Sequence, residues 1–112
     1  MNTKPNNREI KIKIKMKIKG IYSKYEIYLN DIKLDAQRSQ SVYNHSDNFL
    51  WGYGGSGPSQ LALAILLEVT NKETALKYYQ DFKFDIIAKL PQKDFEIELD
   101  VKKWLNEHKK EN

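Results

Sequence analysis

The sequence predicts an α+β domain, in which an antiparallel β meander packs against a central buried helix and two further helices, with one short C-terminal strand. Three observations carry this expectation. From Glu9 to Lys19 apolar side chains alternate strictly with lysine, the period-two pattern of a strand with one buried face. A glycine-rich stretch from Trp51 to Gly57 feeds the run Leu61 to Leu67, which has no polar face and belongs inside the molecule as a helix. Beyond it the apolar positions recur at helical spacing, broken once by the alternation Phe95-Glu96-Ile97-Glu98-Leu99.

A chain of 112 residues suits one core, and the expected organisation is a flexible N-terminus over residues 1–8, one domain over 9–108 and a frayed tail over 109–112. Hydrophobic content of 40% with 30% charge excludes wholesale disorder. The absence of cysteine excludes disulfides and thiolate metal sites, and two histidines are too few for a zinc centre, so no cofactor or metal is expected. The polar N-terminus lacks the apolar core of a signal peptide, and the longest apolar run is too short to span a bilayer. A cytoplasmic protein without membrane contact is therefore expected. The net charge of +4 is uneven, because residues 1–24 carry +7 and the remainder −3. Only the front of the chain is basic.

The first strand places Ile10, Ile12, Ile14, Met16 and Ile18 on one face and Lys11, Lys13, Lys15, Lys17 and Lys19 on the other. The lysines read either as guards of a strand edge or as a nucleic-acid face, and no aromatic residue is interleaved to stack a base. Gly20 is expected to loosen the chain before a second strand, Tyr25 to Leu29. Asn30-Asp31 tolerate the positive φ of a tight hairpin turn into a third strand, Ile32 to Leu34. The polar stretch Asp35 to Asn48 has neither period and reads as an ordered loop. The central helix then runs from about Pro58 to Val69, and Thr70-Asn71-Lys72-Glu73 has capping-box spacing. A second helix carries Ala75, Tyr79, Phe82 and Ile86 on one stripe and runs to about Leu90, before Pro91. After the short strand, Asp100 caps a last helix with Val101, Trp104, Leu105 and His108 on one face.

Gly52-Tyr53-Gly54-Gly55-Ser56-Gly57 matches the dinucleotide fingerprint by letter, but that fingerprint needs a βαβ unit, and here a helix follows a helix. A P-loop is excluded as well, since Pro58 stands where its lysine would follow. General physics remains. A glycine loop opening a helix offers free N–H groups and the positive end of the helix dipole to an anion. The candidate ligand-binding set is Arg38, Asn44, His45, Ser46, Trp51, Tyr53, Gly54, Gly55, Ser56, Gly57 and Gln60. Arg38 would clamp a phosphate, Trp51 or Tyr53 would stack on a base, and His45 is the candidate for acid–base chemistry. Equally, the glycines can serve only to let Trp51 and the loop lie tightly on the core, and His45 can be an ordinary loop histidine.

The runs Ser41-Val42-Tyr43-Asn44-His45-Ser46 and Trp51-Gly52-Tyr53-Gly54-Gly55-Ser56-Gly57-Pro58, with Tyr79-Gln80-Asp81-Phe82-Lys83 and Ala88-Lys89-Leu90-Pro91, resemble a family of small uncharacterised proteins. The family is the domain of unknown function 6166. The resemblance covers about Gly20 to Leu105 and leaves the lysine strand as an extension. It implies a single domain and no particular activity, and points toward a viral or mobile-element protein acting on a nucleotide signal of host defence. Two functions follow as expectations. The first is a binding protein for a phosphate-bearing, nucleotide-like molecule held at the glycine loop. The second is a nucleic-acid or host-protein interaction domain using the Lys11 to Lys19 face, with the loop purely structural. Whether the chain is an enzyme is open at this point, and a homodimer through the first strand's edge is a further expectation.

Overall fold

The structure, a computed structural model, describes residues 15–111. The expected flexible start and the first half of the lysine strand lie outside the described residues. Strand β1 spans Met16–Ile21, β2 Glu26–Leu29 and β3 Ile32–Lys33, and β4 follows much later at Phe95–Leu99. They form one antiparallel sheet in the order β3-β2-β1-β4. The helices are α1 (Gln37–Val42), α2 (Ser56–Val69), α3 (Lys72–Asp85) and α4 (Val101–Glu111), with short 3-10 turns at Tyr22–Lys24 and Ile87–Lys89. The fold is the predicted α+β arrangement of meander, central helix and late strand.

The hairpin forms as its residues dictate. Asn30 and Asp31 take φ of 50° and 70°, the left-handed pair a two-residue primed turn requires. Helix α2 is buried continuously from Gly57 to Leu67, as an all-round apolar helix must be. It shares one core with Ile18, Ile27 and Leu29 from the sheet and with Ala75, Tyr79 and Phe82 from α3.

Several expectations need correction. β1 is not an edge strand. β2 takes one side of it and β4 the other, so Lys17 and Lys19 guard no edge, and a dimer through this part of the strand has no free backbone to use. The two lysines instead stand across from Glu98 and Glu96, and Lys17 also reaches Asp31 at 2.7 Å. Opposite charges facing each other across the two strands on the helix-free face suit this alternation. Gly20 does not loosen the chain. It sits inside β1, where an added Cβ would clash with the edge of the Phe95 ring and lie 2.8 Å from Trp51 Cζ2, so only glycine leaves room for both rings.

The polar stretch before the glycine loop is partly helical. Asp35 Oδ1 accepts from Gln37 N at 2.9 Å, and the Ser39 and Ser41 hydroxyls bond back to Ala36 and Arg38 carbonyls. Such local bonds hide the helix from a periodicity reading. The cap of α3 is Asn71, which accepts from Thr74 N at 2.8 Å, while Thr70 ends α2. α3 itself stops at Asp85, and the Ile87–Lys89 turn fills the gap before Pro91. Asp100 caps α4 as expected, through Lys103 N at 3.0 Å, and α4 continues through Lys109 and Lys110. Among the described residues no helix is long and apolar enough to cross a membrane.

Candidate functional site

Four elements meet around the start of α2: the end of α1 with its following loop, the glycine loop, α2 itself and one face of α3. The join is made by Gln60, one turn into α2 and fully buried. Its Oε1 accepts from His45 N at 2.5 Å and Ser46 N at 3.0 Å. Its Nε2 donates to Ser39 Oγ at 2.9 Å and to Tyr43 O at 3.2 Å. All four hydrogen-bonding positions of the amide are used internally, so Gln60 fixes the loop and has nothing left for a ligand.

The loop so fixed presents His45 to α3. His45 Nε2 and the Tyr79 hydroxyl share a 2.7 Å hydrogen bond, and the Tyr43 ring stacks on the imidazole at 4.5 Å. Burial, and then the charge of Lys83, hold the His45 pKa below its ordinary value. The imidazole is therefore neutral at pH 7.

Lys83 lies one turn beyond Tyr79 on the same face of α3 and is only 6% exposed. Its Nζ is 3.4 Å from Gly54 O and 4.0 Å from the centre of the Phe84 ring. No carboxylate among the described residues comes within ion-pair distance of it. Beside this ammonium α2 begins without a side-chain cap. The N–H groups of Gly54, Gly55, Ser56 and Gly57 find no acceptor among the described residues. The two features add, since the start of a 14-residue helix is the positive end of its dipole. Exposed aromatic rings flank the mouth. Phe84 (56% exposed) lies 3.2 Å from where a Cβ on Gly54 would stand, and the Tyr53 ring (40% exposed) covers Gly55.

The rest of the predicted set is dispersed. Trp51 is fully buried, with Tyr22 and Phe95 edge-on to it and its Nε1 donating to Lys93 O at 2.9 Å, so its ring offers no face to a base. Arg38 pairs with Glu68 at 3.4 Å, near the far end of α2, roughly 18 Å along the axis from Ser56 at 1.5 Å per residue. Ser46 is used within its own turn, accepting from Asn48 N and, at its carbonyl, from Gln40. Asn44 is exposed on the loop beside His45. Two of the loop glycines serve packing. Gly52 has φ +89° and lies where a Cβ would be 2.9 Å from Leu90 O, and a Cβ on Gly57 would be 2.7 Å from Leu50 Cβ.

Sequence reasoning missed Lys83, Tyr79, Tyr43 and Phe84. A signal was present: Lys83 follows Tyr79 by four residues on a helix whose neighbouring positions are buried, an unusual place for lysine. Two clefts elsewhere, of about 650 Å³ between β1 and α4 and about 410 Å³ beside β2, are lined by lysines and carboxylates together and touch neither His45 nor Lys83. The first is lined by four lysines against two carboxylates and the second by two lysines against three carboxylates, and all of these lysines are exposed. A buried ammonium beside free N–H groups is the better mark of an anion site.

The model of a family of unknown function, DUF6166, matches residues 23–107, and the chain belongs to that family. No curated protein and no solved structure matches it.

Proposed function

We propose that this member of the family binds a small phosphate-bearing, nucleotide-like ligand at the mouth between the start of α2 and Lys83. The observation that carries the reading is the Lys83 ammonium, buried beside an uncapped helix start with no carboxylate to balance it. A buried charge is costly unless paired, and an anion is the partner that both the ammonium and the free N–H groups would accept. The exposed faces of Tyr53 and Phe84 supply the stacking surface for a base that Trp51 does not. His45 and Tyr79 stand at the side of the mouth as a hydrogen-bonded pair, and the reading needs no reaction from them. Nucleotides are abundant in the cytoplasm, the compartment the composition favours. A nucleic-acid role for the lysine strand has weaker support, because Glu96 and Glu98 oppose Lys19 and Lys17.

The test is thermal unfolding with inorganic phosphate, nucleosides, and mono-, di- and cyclic nucleotides. A ligand at a hundred times its Kd stabilises by about 2.7 kcal/mol, a shift of several degrees. Nucleotides should raise Tm more than phosphate or nucleoside alone, and Lys83→Met should abolish the rise. No rise with any compound, or an equal rise in the variant, would sink the reading.

A further inference from the structure

The sheet has two outer edges, and they differ. β3 is two residues long and gives an incoming strand little to bind. β4 is five residues long, pairs with β1 on one side and makes no other backbone hydrogen bond among the described residues. Glu96 and Glu98 are exposed on the face away from the helices, while Ile97 and Leu99 on the helix side are only half buried at the rim of the core. On its paired side β4 meets β1 with Lys19 opposite Glu96, Ile18 opposite Ile97, Lys17 opposite Glu98 and Met16 opposite Leu99.

The alternation that matches β4 so well does not begin at Met16. Residues 10–15 read Ile-Lys-Ile-Lys-Ile-Lys in the same parity, with no Gly, Pro, Asn or Asp to turn the chain back. Met16 already faces Leu99, the last residue of β4, so nothing remains of that strand in the same chain for earlier residues to pair with.

We propose that residues 10–15 cover the open edge of β4 in a second copy of this chain, making a homodimer by reciprocal strand addition. With a two-fold axis normal to the sheet near the Met16–Leu99 pair, each extension continues the line of its own β1 and runs beside β4 of the other copy. Such an axis keeps the two faces of the sheet in register. The lysines of the extension then stand beside Glu96 and Glu98, and its isoleucines beside Ile97 and Leu99, which would be covered on their exposed side. Six extended residues reach about 20 Å, enough to span a five-residue strand. Main-chain hydrogen bonds give the affinity of such an addition, and the alternating side chains give its register.

Light scattering after gel filtration of the full chain should give twice the 13.2 kDa of one chain. Lys11→Glu with Lys13→Glu, which leaves the four strands and the helices untouched, should give the single-chain mass with unchanged circular dichroism. Carbodiimide coupling of mixed isotope-labelled and unlabelled chains should join Lys11 or Lys13 of one chain to Glu96 or Glu98 of the other. Three results would overturn the proposal: a full chain that stays monomeric through the micromolar range, a dimer that survives the double substitution, or a monomer that binds oligonucleotides through these lysines with steep salt dependence.

Discussion

Replacing Gln60 by leucine keeps roughly the same volume in the core and so creates little cavity; its cost lies in what is left behind. Two backbone N–H groups, of His45 and Ser46, lose the oxygen they both use, and the Tyr43 carbonyl and Ser39 hydroxyl lose their donor. A stranded buried polar group costs about 1–3 kcal/mol. His45 and Ser46 are half buried, so water reaches part of what is exposed, and the low end applies. The expected total is roughly 2–4 kcal/mol out of a domain stability of about 5–15 kcal/mol. For a chain of this size that corresponds to a Tm lower by about 8–16 °C. Urea unfolding at constant m-value measures it, and amide exchange at His45 and Ser46 should quicken selectively. A loss under about 1 kcal/mol, or unchanged exchange at those two amides, would refute the role of Gln60 as the residue that fixes the loop.

Four further outcomes follow from the same structure. Gly20→Ala drives a methyl into the Phe95 and Trp51 rings and should cost about 1–3 kcal/mol, read by urea denaturation. Lys83→Met removes a buried lysine that no carboxylate balances and should leave the unliganded protein as stable as wild type or more so, in contrast to most core substitutions; a large drop in Tm would show that the Gly54 carbonyl and Phe84 ring already satisfy the ammonium. His45 is held below its ordinary pKa, so between that lowered value and about 6.5 the unfolded chain binds the proton more readily than the native one. Stability should therefore fall as pH drops below about 6.5, and His45→Gln should remove that part of the slope. The lowered pKa of Glu26, bonded to Lys33 and Tyr28, adds a separate loss only at more acid pH, below the ordinary carboxylate value.

The fold was legible where one pattern dominated locally. The alternation of β1, the Asn30-Asp31 turn and the apolar run of α2 each admit one solution, and each formed. Strand order was not legible, because β4 is distant in sequence and its fit to β1 becomes visible only when Glu96 and Glu98 are set against Lys19 and Lys17. α1 was hidden because its stability comes from Gln60 and from serines bonding their own backbone rather than from an amphipathic stripe. Of the residues that meet at the candidate site, the sequence singled out the helix start and His45, which lie on neighbouring stretches, and passed over Lys83 and Tyr79, which a folded α3 brings in from far along the chain. It also placed Trp51 at the ligand, since an aromatic beside glycines reads the same whether it faces a base or the core. Only Gly20, thirty-one residues away, shows which.

In the proposed site the N–H groups of residues 54–57 and the Lys83 ammonium together receive an anion. A titration followed by backbone amide and imidazole NMR tests it most directly, with inorganic phosphate and then a nucleoside monophosphate. The amides of Gly54, Gly55, Ser56 and Gly57 should shift together and saturably, and the His45 pKa should rise on binding as the ligand offsets Lys83. Both responses should vanish in Lys83→Met. Amides of 54–57 that stay unmoved by either compound, or that move equally in the variant, would contradict it.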